Sequence, residues 1–242
     1  MLGETNWISL IRRCLKRRLS DGTWRPENPR RFYVIAGTTN VFLPSWGSMQ
    51  MELIDKTLPH AKFRFLDLQH DIGLFRLRRP LRTNAYVQYA LLPPEYIANL
   101  LQTYMKQCIA VGWGRHIPDS NRGSGTYLRH VQMPLISAVE CPMPNVHKEA
   151  QICTGLQEGG RDVCLGDSGG PLICNGTQVG IVSWGNPTGC ALPNSASVYS
   201  RVDFYLDWLN CTIQRNGVSE CSFRPVTSIA FAFYWLYLFL IC

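Results

Sequence analysis

Short apolar runs, cut at intervals by turn residues, set the rhythm of this chain. RFYVIAG (31–37), IGLFRL (72–77), CIAVGWG (108–114), YLRHVQMP (127–134), QVGIVSWG (178–185) and SVYSRV (197–202) are rich in Val, Ile, Phe, Tyr or Trp and bounded by Gly, Pro, Asn or Ser. Such runs predict strands. One segment has helical spacing instead. In VDFYLDWLNCTI the apolar residues recur at Phe204 and Tyr205, Trp208 and Leu209, and Ile213, with Asp203 near the start. Many short strands and one late helix predict an all-β barrel or sandwich. Residues 93–107 predict a long surface loop with a helical turn, and no internal repeat or low-complexity linker divides the chain.

The pattern changes at both ends. After Arg224 no charge appears, and Ile229 to Cys242 reads IAFAFYWLYLFLIC. That run is shorter than the roughly 20 residues a spanning helix needs. It fits a GPI-anchor signal, whose tail of about 10–20 residues follows a polar spacer of about 8–12. Asn216 or Gly217 is then the attachment residue. A short tail anchor and a buried final strand or helix are the other readings. Residues 1–18 contain neither an apolar signal core nor a small-residue cleavage site.

With 242 residues, 46% hydrophobic and 17% charged, the composition is globular and fits one large domain or two small lobes. The net charge of +7 owes much to Arg12, Arg13, Lys16, Arg17, Arg18, Arg25, Arg30 and Arg31. This cluster is either a surface for an acidic partner or a solvated loop. No aromatic-interleaved motif accompanies it, so nucleic acid is not an expected partner. The ten cysteines form no paired CxxC zinc pattern and read as a disulfide framework from an oxidising compartment. Two sequons, Asn175-Gly-Thr and Asn210-Cys-Thr, agree with an extracellular or cell-surface glycoprotein. No cofactor and no metal site is indicated, with a calcium loop left open.

The chemistry lies in RDVCLGDSGGPL (161–172). Together with HDIGL (70–74), VGWG (111–114), CTG (153–155) and SWG (183–185), in this order, it resembles the chymotrypsin/trypsin family of serine endopeptidases from about Cys14 to Ile213. The resemblance implies a double six-stranded β-barrel of the chymotrypsin type with a C-terminal helix, the first barrel lacking its opening strands. It divides the chain into a non-family segment (1–13), the protease domain (14–215) and a spacer with hydrophobic tail (216–242). It implies peptide-bond hydrolysis, with Ser168 as nucleophile, Asp71 as the acidic triad member, and the N–H groups of Gly166 and Ser168 facing the oxyanion. Asp162, six residues before the nucleophile, corresponds to the floor of the specificity pocket, so the expected substrates are proteins or peptides with Arg or Lys. Ser183 and Gly185 correspond to the pocket wall. Ser197 stands where trypsin-like members usually have glycine, and its side chain narrows the pocket or hydrogen-bonds within it. The implied disulfides are Cys108–Cys174, Cys141–Cys153 and Cys164–Cys190. Cys211–Cys221 stays open, because cleavage at Asn216 or Gly217 would remove Cys221.

The chain departs from the family pattern at one end. Aligning Cys14 with the cysteine of the family's Ala-Ala-His-Cys segment puts Trp7 on its tryptophan and Arg13 on its histidine, with Ile11 and Arg12 on the two alanines. An arginine cannot serve as base near neutral pH. His70 is a poor substitute, since neighbouring side chains on a strand point to opposite faces. His60 corresponds to a loop histidine, while His116, His130 and His147 match no catalytic element. No Ile-Val-Gly-Gly start is present to supply the cation that Asp167 pairs with in the family. The opening strands and the disulfide partner of Cys14 are also missing. An incomplete or alternatively started chain explains these joint absences better than an intact pseudoprotease. Either way the chain as given is expected to be inactive, and a non-catalytic binding module is the alternative function.

Overall fold

The computed structural model describes residues 29, 32–40, 47–97, 107–116 and 125–215, together with the backbone of 7–10, 16–18, 24–26 and 234–236. Strand β1 (Trp7–Leu10) is followed by a hairpin of β2 (Lys16–Arg18) and β3 (Trp24–Pro26), then by β4 (Tyr33–Ala36), β5 (Gln50–Pro59) and β6 (Gly73–Leu77). Strands β1, β6, β5 and β4 form one antiparallel sheet in that order. Its inner face carries Val34, Ala36, Ile54, Phe75 and Leu77, packed with Leu81 and Val87. Period-two alternation puts these residues on one side of the pleat.

Strand β1, in the segment (1–13) that the resemblance sets outside the protease domain, pairs along β6 from Trp7 opposite Arg76 to Leu10 opposite Gly73. The apolar run Trp-Ile-Ser-Leu suits a strand, and pairing satisfies β6 along an edge that would otherwise be bare. The sheet holds four strands among the described residues.

The second half forms β7 (Tyr89–Leu91), β8 (Gln107–Gly112), β9 (Arg129–Ile136), β10 (Gln151–Thr154), β11 (Pro171–Cys174), β12 (Thr177–Trp184) and β13 (Ser197–Arg201). The order β11-β8-β9-β10-β13-β12 returns to β11, which also pairs with β12, so six strands close a barrel. Its interior holds Ala110, Met133, Leu135, Ile152, Leu172, Val179 and Tyr199. Full burial of one such side chain is worth about 1.5–3 kcal/mol. A tight two-residue turn joins β11 to β12, with Asn175 at φ 50° and Gly176 at φ 77°. Two successive left-handed residues define the type I′ turn that matches strand twist, and Asn-Gly is its favoured sequence.

The late helix is present. A 3₁₀ turn at Asp203–Tyr205 leads into α1 (Leu206–Gln214). Asp203 does not cap it: the carboxylate is buried, ion-paired with Arg201 at 2.5 Å and bonded by the N–H of Ile97 at 3.0 Å. Tyr205, Trp208 and Leu209 pack with Ile72 and Leu74 of the first sheet and Ile181 of the barrel. This seam fixes the segment that carries Asp71. A last strand, β14 (Tyr234–Leu236), pairs with β7. The remainder of the 216–242 tail, and residues 98–106 of the expected 93–107 loop, lie outside the described residues. No helix among the described residues is long and apolar enough to cross a membrane.

Candidate active site

Asp71 precedes β6 and is fully buried. Its Oδ2 accepts a 2.7 Å hydrogen bond from Ser183 Oγ, and its backbone carbonyl accepts one of 2.8 Å from Ser200 Oγ. Ser183, which the resemblance assigns to the pocket wall, thus commits its hydroxyl to Asp71. Ser200, on the neighbouring strand β13, went unnoticed in the sequence. Its hydroxyl grips the chain at Asp71, a role no local motif signals. The turn into Asp71 is strained, with Leu68 at φ 51° and His70 at φ 53°. Non-glycine residues enter this region at a cost, and only where packing over-determines them.

The loop 164–170 carries Ser168. Gly166 (φ 101°) and Gly169 (φ 87°) take left-handed conformations on either side of it. A Cβ on Gly170 would lie 2.8 Å from Val111 O, so this backbone path requires the glycines. The N–H of Gly169 donates to Val182 O at 2.9 Å and that of Gly170 to Asp167 O at 2.9 Å, which pins the turn to β12. The N–H of Gly166 donates to no acceptor among the described residues.

Asp167 turns inward behind this loop. Its Oδ1 accepts from Gly114 N–H at 2.7 Å and its Oδ2 from Cys164 N–H at 2.9 Å. Burial pushes its carboxyl above the usual range, with these two bonds opposing the shift and the charge of Asp162 adding to it. The cavity for it is cut by glycines, since a Cβ on Gly112 or Gly114 would lie 2.1 or 2.4 Å from the Asp167 carboxylate. The VGWG element thus carries a structural duty toward the 164–170 loop that its sequence does not announce.

Asp162 is half-buried. Its Oδ1 accepts from Val163 N–H at 2.8 Å and from Ser197 Oγ at 2.6 Å, and its Oδ2 from Ala191 N–H at 3.2 Å. Burial raises its carboxyl above the usual range, and the three bonds partly offset that. Gly185 faces Ser197: a Cβ built on it would come within 3.1 Å of Ser197 Oγ. The structure thus brings Asp162, Gly185 and Ser197 together. Of the two roles open to Ser197, it shows the hydrogen bond.

Disulfides Cys108–Cys174, Cys141–Cys153 and Cys164–Cys190 are all present. The last flanks both acidic sites, since Cys164 bonds Asp167 and Cys190 precedes Ala191. Cys211 is disulfide-bonded as well, while Cys221 and Arg13 lie outside the described residues. Asn175 is exposed on its turn and Asn210 is half-buried on α1. His60, His70 and His147 gather beside α1. The rings of His60 and His70 stack at 4.8 Å, His147 lies 6.3 Å from His70, and His70 Nδ1 sits 3.2 Å from Tyr205 Oη. His70, although adjacent to Asp71, therefore packs toward the helix. His116 and His130 are exposed.

A family profile described as Trypsin matches residues 26–209. The renal glandular kallikrein of Mastomys natalensis is 34% identical over 230 residues, which span 89% of this chain and 80% of that protein. Trypsin-1 of Salmo salar is 31% identical over 214 residues, 88% of this chain and 79% of its own. The glandular kallikrein of Sus scrofa is 39% identical over 160 residues, 65% of this chain and 63% of its own. With a closed six-stranded barrel, one late helix and a profile match over most of its length, the chain belongs to the trypsin-like family of serine proteases.

Proposed function

We propose that this chain holds protein or peptide substrates through a basic side chain at Asp162, on a serine-endopeptidase scaffold whose catalytic base is replaced. The observation that carries this reading is the half-buried Asp162 carboxylate, bonded by Ser197, which faces Gly185. Ser168 is the nucleophile, Asp71 the group that would orient a base, and the N–H groups of Gly166 and Ser168 the oxyanion donors. Arg13 at the aligned base position keeps its proton near neutral pH, so Ser168 is not activated. Loss of a triad member leaves only about 10³–10⁴-fold catalysis over water.

The test is an ester and peptide assay on the purified chain with Arg and Lys substrates. The expected result is turnover no faster than that of Ser168→Ala. Robust turnover that Ser168→Ala abolishes would overturn the inactive assignment. Arg13 also favours a second reading, a non-catalytic binding module. Retention of intact Arg- or Lys-containing peptides without cleavage, followed by mass spectrometry, separates it from slow hydrolysis.

An extracellular or cell-surface setting accompanies this function. Its support is the set of disulfides, which persist in oxidising compartments. Asn175, exposed on its turn, is the better placed glycan acceptor of the two sequons. Membrane attachment through the 229–242 tail belongs to the same proposal, and release from cells by a phosphoinositide-specific phospholipase tests it. The pairing of β14 with β7 gives part of that tail a place in the protein body instead. If the protein stays cell-bound after phospholipase, or is never cell-bound, the anchor is excluded.

A further inference from the structure

We infer that Ser197 makes the Asp162 pocket selective for a primary ammonium over a guanidinium, so that lysine is preferred to arginine. The inference rests on Asp162 being the substrate-facing carboxylate and concerns which base it takes.

A carboxylate offers about four acceptor positions, two on each oxygen. Among the described residues Asp162 has three donors already. Oδ1 carries two of them, Val163 N–H at 2.8 Å and Ser197 Oγ–H at 2.6 Å. Oδ2 carries one, Ala191 N–H at 3.2 Å. A single position is left, and it is on Oδ2.

A guanidinium achieves its strong side-by-side contact by placing one N–H on each carboxylate oxygen. Here Oδ1 is filled, so arginine is limited to one bond. An ammonium is a compact point charge with three donors that can rotate to suit. It takes the remaining position on Oδ2, and a second acceptor waits beside it. Ser197 gives its proton to Asp162, which leaves its oxygen lone pairs for an incoming N–H.

The experiment measures binding, which does not depend on a catalytic base. Tripeptides Ala-Ala-Lys and Ala-Ala-Arg are titrated calorimetrically into the full chain and into Ser197→Gly, Ser197→Ala and Asp162→Asn, each checked for an unchanged thermal transition. The unsubstituted chain is expected to bind the lysine peptide about tenfold more tightly, the worth of one charge-assisted hydrogen bond. Ser197→Gly frees a position on Oδ1, so arginine gains and the preference vanishes or reverses. Ser197→Ala frees Oδ1 while keeping a side chain, and arginine gains there too. Should arginine bind as well as lysine to the unsubstituted chain, with both lost in Asp162→Asn, the selectivity fails and the pocket stands. If neither peptide binds to any form, or if Asp162→Asn binds them unchanged, the pocket itself fails and takes the inference with it.

Discussion

Ser183 Oγ reaches across 112 residues of sequence to donate a 2.7 Å hydrogen bond to Asp71 Oδ2, and both groups are fully buried. The bond ties the end of β12 to the turn before β6. It places a neutral donor against the carboxylate whose family role is to steady a base.

Ser183→Ala removes that donor and leaves the carboxylate short of one partner. An under-satisfied buried acceptor costs about 1–3 kcal/mol, more when it is charged. The urea midpoint of the variant is expected to fall with the m-value unchanged. An unchanged midpoint would mean that the hydroxyl contributes nothing net.

Gly114→Ala is expected to be far more damaging than its size implies. Its Cβ would lie 2.4 Å from the Asp167 carboxylate, which is itself bonded to the Gly114 N–H. Relief requires moving either the 164–170 loop or the segment after β8, and overpacking of this kind costs about 1–3 kcal/mol or more. Thermal unfolding reports the loss. The double variant Gly114→Ala, Asp167→Ala should recover part of it, because the clash is with that side chain.

Stability should depend on pH in two windows of opposite sign. Asp162 and Asp167 have folded pKa values raised by burial. Their folded forms take up protons first as the pH falls, so this contribution rises from those raised values down toward 3.8 and is constant below. His70 behaves in the opposite sense. Burial first, and then the charges of His147, Lys62 and Arg64 against a smaller opposing effect of Asp67, hold its pKa below 6.5. The unfolded chain is then the better proton acceptor, and stability is lost as the pH falls from 6.5 through the lowered value. Melting temperatures across pH 3 to 8 measure both. Asp167→Ala should weaken the acid-side rise, and His70→Gln should remove the loss below 6.5.

Arg13→His tests the proposal that the catalytic base is replaced in this chain. A positioned general base contributes about 10²–10⁴-fold in rate. The substitution is expected to raise ester hydrolysis toward that range, with the gain abolished by Ser168→Ala. No gain would show that more than the base is lacking, and a gain indifferent to Ser168 would exclude the assigned nucleophile.

Much of the fold is legible in the chain, and the exceptions have physical causes. The six quoted apolar runs all lie on strands, and the 3.6-residue spacing finds α1. Strand β5 is hidden because its polarity is inverted. Met51 and Leu53 are exposed at 58% and 42%, while Glu52 points inward at 7% and is reconciled with burial by Arg79 at 3.0 Å. No binary pattern anticipates a buried carboxylate whose partner is 27 residues away. Strand β10 is buried at every position and too short to show a period.

The sequence by itself determined the family, the glycine-lined turn around Ser168 and the three cysteine pairs. These rest on short ordered motifs whose chemistry is local. Only the tertiary structure decided where the polar side chains spend their hydrogen bonds. It gave Ser183 to Asp71, Gly114 to Asp167 and Ser197 to Asp162, over separations of 112, 53 and 35 residues. It turned His70 to Tyr205, 135 residues on. The reason is that such a bond exists only when barrel closure and the helix seam bring two strands to the same depth. Its angstrom-scale geometry follows from the packing of the whole, which no stretch of the chain contains.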